Sequence, residues 1–152
     1  MRHHTGLFAV LICLAPLSYG QALGGIESVT LAVDLEREVD ARACGVSVAS
    51  IDAAMRIPIS NTRLVVAKVG GAVLSAGVNV LQAPNGQCAA MIAVALSRPV
   101  SLESAINSPR VIGEVWGNRH VLIGFPQGFG KAVSDKVEDF TKQFLAAWLK
   151  DR

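Results

Sequence analysis

The chain has 152 residues, of which 51% are hydrophobic and 17% charged, and its formal net charge is +2. This length fits one ordinary domain rather than two, and the hydrophobic content excludes a disordered chain. The small net charge lacks the basic excess expected of a nucleic-acid-binding protein, so no nucleic-acid partner is predicted.

The N-terminal segment has the three parts of a secretory signal peptide. A short stretch containing Arg2 precedes an apolar run over 7–17, and small residues follow that run. They place cleavage after Gly20 or after Ala22. The apolar run is about half the roughly 20 residues that a membrane-spanning helix needs. The sequence therefore predicts a secreted or periplasmic protein.

Two other outcomes for this segment are an uncleaved anchor and lipid modification of Cys13, which lies inside the apolar run instead of after it. Cleavage of residues 1–22 is favoured over both. It leaves residues 23–152 as a single small α+β domain, with no transmembrane segment in the mature chain. Because one base and no acid are removed, the mature chain has 13 basic and 12 acidic residues.

The mature chain keeps two cysteines, Cys44 and Cys88. An even pair in an oxidising compartment predicts a disulfide. Closing a loop of about 45 residues contributes about 4 kcal/mol in the chain-entropy model. Two buried free thiols are the alternative. A structural zinc site needs four nitrogen or sulfur ligands, and the mature chain adds only one histidine, His120, so no metal site is predicted.

The first half of the domain is predicted to contain a strand and a helix. Apolar and polar residues alternate over 29–36, which is typical of a half-buried strand. A polar connection follows over 37–46. Ser47 is a suitable N-cap for a short helix over 48–57, which Pro58 is expected to end.

The pattern from residue 64 onward is that of strands. A β-branched run spans 64–69, and a long hairpin is predicted from 72–82 and 87–100 around the Pro84-Asn85-Gly86 turn. After a loop over 101–110, a shorter hairpin is predicted. Its strands are 111–116 and 120–125, and its turn is Gly117-Asn118.

The clearest predicted helix spans about 131–150, since apolar residues recur there at helical spacing. That stripe consists of Val133, Val137, Phe140, Phe144 and Trp148. The predicted fold class is α+β, in the order β-α-β-β-β-β-β-α. It is an antiparallel or mixed sheet of about five strands, with one short and one long C-terminal helix on one face. This layout is similar to that of small α+β domains of bacterial envelope proteins.

Two motifs have structural explanations that we favour over functional ones. The glycine-rich segment 124–131 lies where a phosphate loop would lie, but its glycine spacing is wrong, and Ala132 replaces the magnesium-binding Ser or Thr. A turn into the last helix is favoured, with a weak anion site at the helix N-terminus as the alternative. Acidic residues at every second position over 34–40 favour a solvated surface, because a strand spreads carboxylates too far apart for a calcium site.

No catalytic set or cofactor site is predicted. His120 is the sole candidate base among the histidines of the mature chain, whereas Ser-His-Asp or Cys-His catalysis needs a base that a third group orients. Trp116 is expected to be a core or cross-strand aromatic residue rather than a ligand anchor.

The leading hypothesis is a non-enzymatic envelope domain that binds a partner protein or small ligand through its sheet face or edge. The alternative is a small hydrolase-like enzyme whose site, with His120 and the 34–40 acids, forms only in the fold.

Overall fold

The computed structural model describes residues 23–101 and 110–151. The predicted leader, residues 1–22, and most of the predicted loop over 101–110 lie outside the described residues. In chain order the elements are β1 (Ser28–Glu36), α1 (Glu38–Ala43), α2 (Val48–Ser60), β2 (Val65–Val66), β3 (Val73–Gln82), β4 (Cys88–Ser101), β5 (Arg110–Gly124) and α3 (Pro126–Lys150).

The five strands form one mixed sheet in the order β2-β1-β3-β4-β5. Strand β1 is parallel to both of its neighbours, while β3, β4 and β5 are successively antiparallel. Helices α1 and α2 make the crossover that two adjacent parallel strands, β1 and β2, require. The predicted α+β class with a mixed five-stranded sheet is confirmed.

The helices pack on one side of the sheet, which we call the covered face. Alternate residues of β3 and β4 point into this layer and are almost fully buried. All five residues of the predicted stripe on α3 are buried in the same layer, as predicted. The Trp148 Nε1 atom donates a hydrogen bond to the Ile26 carbonyl oxygen at 2.8 Å. Trp116 packs edge-on against Phe144, with ring centroids 5.5 Å apart. Trp116, Phe144 and Trp148 therefore belong to the core.

Strand β5 corrects the predicted second hairpin, because it runs without a break through Gly117-Asn118. Gly-Asn is compatible with a type II′ hairpin turn, so the local sequence alone does not exclude the hairpin. The 14-residue strand β4 is long enough to pair with β5 throughout. A β-bulge at Val115 replaces the turn, so that Val115 and Trp116 are both buried opposite Leu96.

Three further boundaries differ from prediction. The connection over 37–46 contains α1, and Ser47 caps α2 as predicted, its Oγ accepting a hydrogen bond from the Ser50 N–H at 3.2 Å. Helix α2 continues past Pro58 to its end two residues later. Proline lacks the N–H that would bond to the residue 54 carbonyl oxygen, and the burial of Pro58 and Ile59 in the core favours the helical conformation despite this loss. Of the predicted strand 64–69, only the two residues of β2 pair with β1.

The glycine-rich segment is explained by packing. Helix α3 begins at Pro126, earlier than predicted, and Gly128 has a positive φ of 78° in a kink before the regular helix. A Cβ atom on Gly130 would lie 1.9 Å from the carbonyl oxygen of Gly45, so only glycine permits this approach. The segment is the predicted turn into the last helix.

Candidate functional site

The side of the sheet opposite the helices is the open face. Its central positions on β1, β3 and β4 carry small side chains, which leave a shallow surface. These small residues are Ala32, Ser75, Gly77, Ala93 and Ala95. The loop before β3 crosses the beginning of β1 on this side, where Gly70 approaches the hydroxyl groups of Ser28 and Thr30. The remainder of the open face is uncovered by any described residue.

Four large apolar side chains lie together on the open face, near the turn between β3 and β4. We call Leu81, Met91, Val121 and Ile123 the apolar patch; their exposed fractions are 47%, 55%, 61% and 72%. Met91 is directly opposite Val121, and Ala89 lies between Leu81 and Ile123 in the next row. Rows on one face of a strand are about 6.6 Å apart and neighbouring strands about 4.8 Å apart, so these side chains form one contiguous surface.

Polar and charged groups border the apolar patch. On the β1 side, Asn79 donates a hydrogen bond to the Glu36 carboxylate, and Asp34 lies two residues before Glu36. On β5, the Arg119 guanidinium forms an ion pair with Glu114 at 3.1 Å. Among the described residues, the border therefore contains three acidic groups and one basic group, and the carboxylates on the β1 side have no basic partner.

The cavities of the described structure do not form a deep binding site for a small molecule at the patch. The cavity nearest to it, lined by Asp34, Glu36 and Met91 among others, has a volume of about 100 Å³. Drug-sized ligands occupy about 300–1,000 Å³. A cavity of about 420 Å³ lies elsewhere, at the start of β1, and its charged lining residues are Glu27 and Arg98. The patch is therefore a shallow exposed surface rather than an enclosed cavity.

The structure places His120 far from the acidic residues of 34–40, the two groups proposed for an enzymatic site. His120 is exposed on the covered side of the edge strand β5, opposite Ile92. Asp34 and Glu36 lie on the open face of β1, with β3 and β4 between them and β5. Three strand spacings amount to about 14 Å. Beyond Glu36 the acidic segment leaves the sheet, since Glu38 begins α1, and its carboxylates are exposed or partly exposed as a solvated surface.

Shifted pKa values occur in surface ion pairs of the helices. Hydrogen bonding to Asp52 raises the pKa of Arg56, and hydrogen bonding to Glu138 raises the pKa of Lys142. Both pairs have the i, i+4 spacing of helix surface pairs. Among residues 23–101 and 110–151, no group of three or more His, Cys, Asp or Glu side chains is placed to hold a metal ion.

The two cysteines of the predicted disulfide are brought together at the base of the covered face. The Sγ atoms of Cys44 and Cys88 lie at disulfide distance, with Cα atoms 6.0 Å apart, and both residues are buried. The pair joins the end of α1 to the first residue of β4, next to the contact between Gly45 and Gly130. This position links the crossover to the centre of the sheet.

Comparison with known proteins adds little to this description. No protein family model matches the chain, and no curated protein matches it. A solved dodecameric structure of a PelC variant from Paraburkholderia phytofirmans is similar over 82% of this chain and 86% of that one, with 12% identity and a TM-score of 0.43. A similarity at this level supports no statement about function. None of the helices in the described ranges is long and apolar enough to cross a membrane.

Proposed function

We propose that this protein is an exported, non-enzymatic binding domain that docks a partner protein on the apolar patch of its open face. The observation that carries the proposal is the exposure of four adjacent large apolar side chains on a sheet whose helices pack on its other face. Contiguous apolar surface with a polar border is typical of protein interaction sites. Export is supported by the leader pattern of residues 1–22 and by the cysteine pair, since disulfides persist in oxidising compartments.

The partner's chemistry follows from the patch and its border. The patch fits an apolar protein surface. The charge of Asp34, which has no ion-pair partner among the described residues, fits basic side chains beside that surface. A second copy of this chain would bring two acidic borders face to face. An anionic membrane would favour a border dominated by Lys and Arg, which this one lacks. A different protein with an apolar centre and a basic rim is therefore the proposed occupant.

The edge of β5 extends the same surface. Strand β5 is the last strand of the sheet, and Val121 and Ile123 of the patch belong to it. A partner seated on these side chains also reaches the outer edge of β5, where the backbone has no neighbouring strand within the described residues. Edge strands add a partner's strand through main-chain hydrogen bonds. The face supplies apolar contact, and the edge supplies hydrogen bonds.

Site-specific photo-cross-linking in cells that produce the protein tests the proposal. A photoreactive residue is placed at Val121 in the patch or, as a matched control, at Val69, which is 90% exposed in the loop before β3. We expect one discrete heterologous adduct from position 121 and none from position 69, with cooperative unfolding of both proteins. Equal adducts from both positions, no adduct from position 121, or an adduct between two copies of this chain would overturn the proposal.

A further inference from the structure

The first described residues are held by contacts from two distant parts of the chain. Leu23 is 1% exposed, and its N–H donates a hydrogen bond to Asp151 Oδ2 at 3.2 Å. One residue later, the Gly24 carbonyl oxygen accepts a hydrogen bond from Arg98 at 3.2 Å. The Ile26 carbonyl oxygen accepts the bond from Trp148 described above. Residue 23 is therefore built into the fold from its backbone nitrogen onward.

The acceptor of the Leu23 N–H lies in an unusual electrostatic position. Asp151 is the C-cap of α3, and its own N–H bonds to the Trp148 carbonyl oxygen at 3.3 Å. The C-terminal end of a helix carries partial negative charge, so a carboxylate there is disfavoured and a cation is favoured. Lys150, in the last turn, is one basic residue nearby. A positive charge on the nitrogen of Leu23 would convert an ordinary hydrogen bond to Asp151 into a charge-assisted one.

Only one of the two cleavage positions in the leader produces that charge. Cleavage after Ala22 makes the nitrogen of Leu23 the α-amino group, which is protonated at neutral pH. Cleavage after Gly20 leaves Gln21-Ala22 attached, and the nitrogen of Leu23 remains a neutral amide. The sequence pattern permits both positions, because small residues stand at −1 and −3 in each.

From this geometry we infer that the export machinery's signal peptidase cleaves the bond between Ala22 and Leu23, and that Asp151 pairs with the new ammonium group. Water adds its hydroxyl to the Ala22 carbonyl carbon as the bond to the Leu23 nitrogen breaks. That nitrogen takes the proton of the water and then the proton of the new Ala22 carboxyl group, which leaves an ammonium group and a carboxylate. The processed N-terminus thereby becomes part of the fold and neutralises the carboxylate at the end of α3. The inference rests on the export part of the proposed function and is independent of the partner.

N-terminal sequencing and intact mass of protein exported with its own leader test the cleavage position. We expect the mature chain to begin at Leu23. A chain that begins at Gln21 would overturn this inference and leave export intact. An exported chain that retains Met1 would also overturn this inference, whereas a chain that remains in the cytoplasm would overturn export itself, so the two failures are distinguishable.

A mutant cycle tests the ion pair. Chains that begin at Leu23 or at Gln21 are released from a cleavable fusion, each with Asp151 or with Asp151→Asn, which keeps a hydrogen-bond acceptor. We expect Asp151→Asn to lower the unfolding midpoint by about 2–5 °C when the chain begins at Leu23, and by about 1 °C or less when it begins at Gln21. Equal losses would overturn the role of the ammonium group. The control Asp135→Asn, in an exposed pair with Lys131, is expected to act equally on both chains.

Discussion

The two faces of the sheet use the same strands for different purposes. Ile92 and Met91 are neighbours in β4, yet Ile92 is fully buried under the helices and Met91 is 55% exposed on the open face. The covered face combines large apolar strand residues with the aromatic stripe of α3, which is the arrangement that stabilises a domain. The open face has small residues at its centre and four large exposed apolar side chains grouped in the patch. These exposed apolar groups do not pack against the helices, and they are the basis of the proposed binding site.

The largest loss of folding stability is expected from deleting α3, which packs on the covered face. Deletion of residues 131–152 removes the regular part of α3, including Phe144 and Trp148, whose side chains are fully or almost fully buried. Burial of each aromatic side chain contributes on the order of 2–3 kcal/mol, and small domains are stable by about 5–15 kcal/mol. We expect the truncated mature chain to show no cooperative thermal transition. A transition close to that of the intact chain would show that α3 is an appendage.

Single truncations on the two faces sharpen the comparison. Phe144→Ala leaves a cavity under Trp116 and is expected to cost about 3–5 kcal/mol of the free energy of unfolding. Met91→Ala, on the open face, is expected to change it by about 0.5 kcal/mol or less. Denaturant titration of both variants measures the difference. Comparable losses would mean that the open face also contributes to the core.

The cysteine pair is expected to have the next largest effect. Closing the loop between Cys44 and Cys88 stabilises the fold by about 2–4 kcal/mol if the disulfide forms. The double variant Cys44→Ser with Cys88→Ser should lose that amount in denaturant titration, and reduced wild-type protein should behave similarly. Thiol titration of denatured, non-reduced mature protein should find no free thiol. Two free thiols would leave the pair as unbonded neighbours.

The smallest expected difference in stability is between alanine substitutions at two glycines, one on each face. Gly130→Ala places a Cβ atom against the backbone of Gly45 and is expected to cost about 1–3 kcal/mol as α3 is displaced. Gly77→Ala, on the open face, meets no atom within 4 Å and is expected to be neutral or to stabilise by up to about 1 kcal/mol. Thermal unfolding of both variants checks the pair. If Gly77→Ala is the more damaging change, the open face is packed more tightly than described.

The spacing of apolar residues in the sequence was sufficient to predict which residues of α3 and β1 face the core. The stripe on α3 and the alternation in β1 each predict one side that faces the core, and the structure agrees. The bulge at Val115 was missed because a bulge shifts the alternation by one residue, as a turn can also do. The apolar patch was missed because Met91 and Ala89 lie in a run that is apolar at every position. Such a run reads as buried on both faces, and only the one-sided helix layer reveals which face is open.

The cross-link at position 121 first identifies the partner. Measuring the affinity of the purified partner for variants of this protein then tests most directly whether binding occurs on the open face. The variant Met91→Asp places a charge in the centre of the apolar patch, and Val69→Asp is the control outside it, where Val69 is also exposed. Because a few central residues carry most of the binding energy of an interface, we expect Met91→Asp to weaken the affinity at least about tenfold. Its unfolding midpoint should stay within about 2 °C of wild type, and Val69→Asp should bind normally. An affinity within about twofold of wild type for folded Met91→Asp would contradict the assignment of binding to the open face.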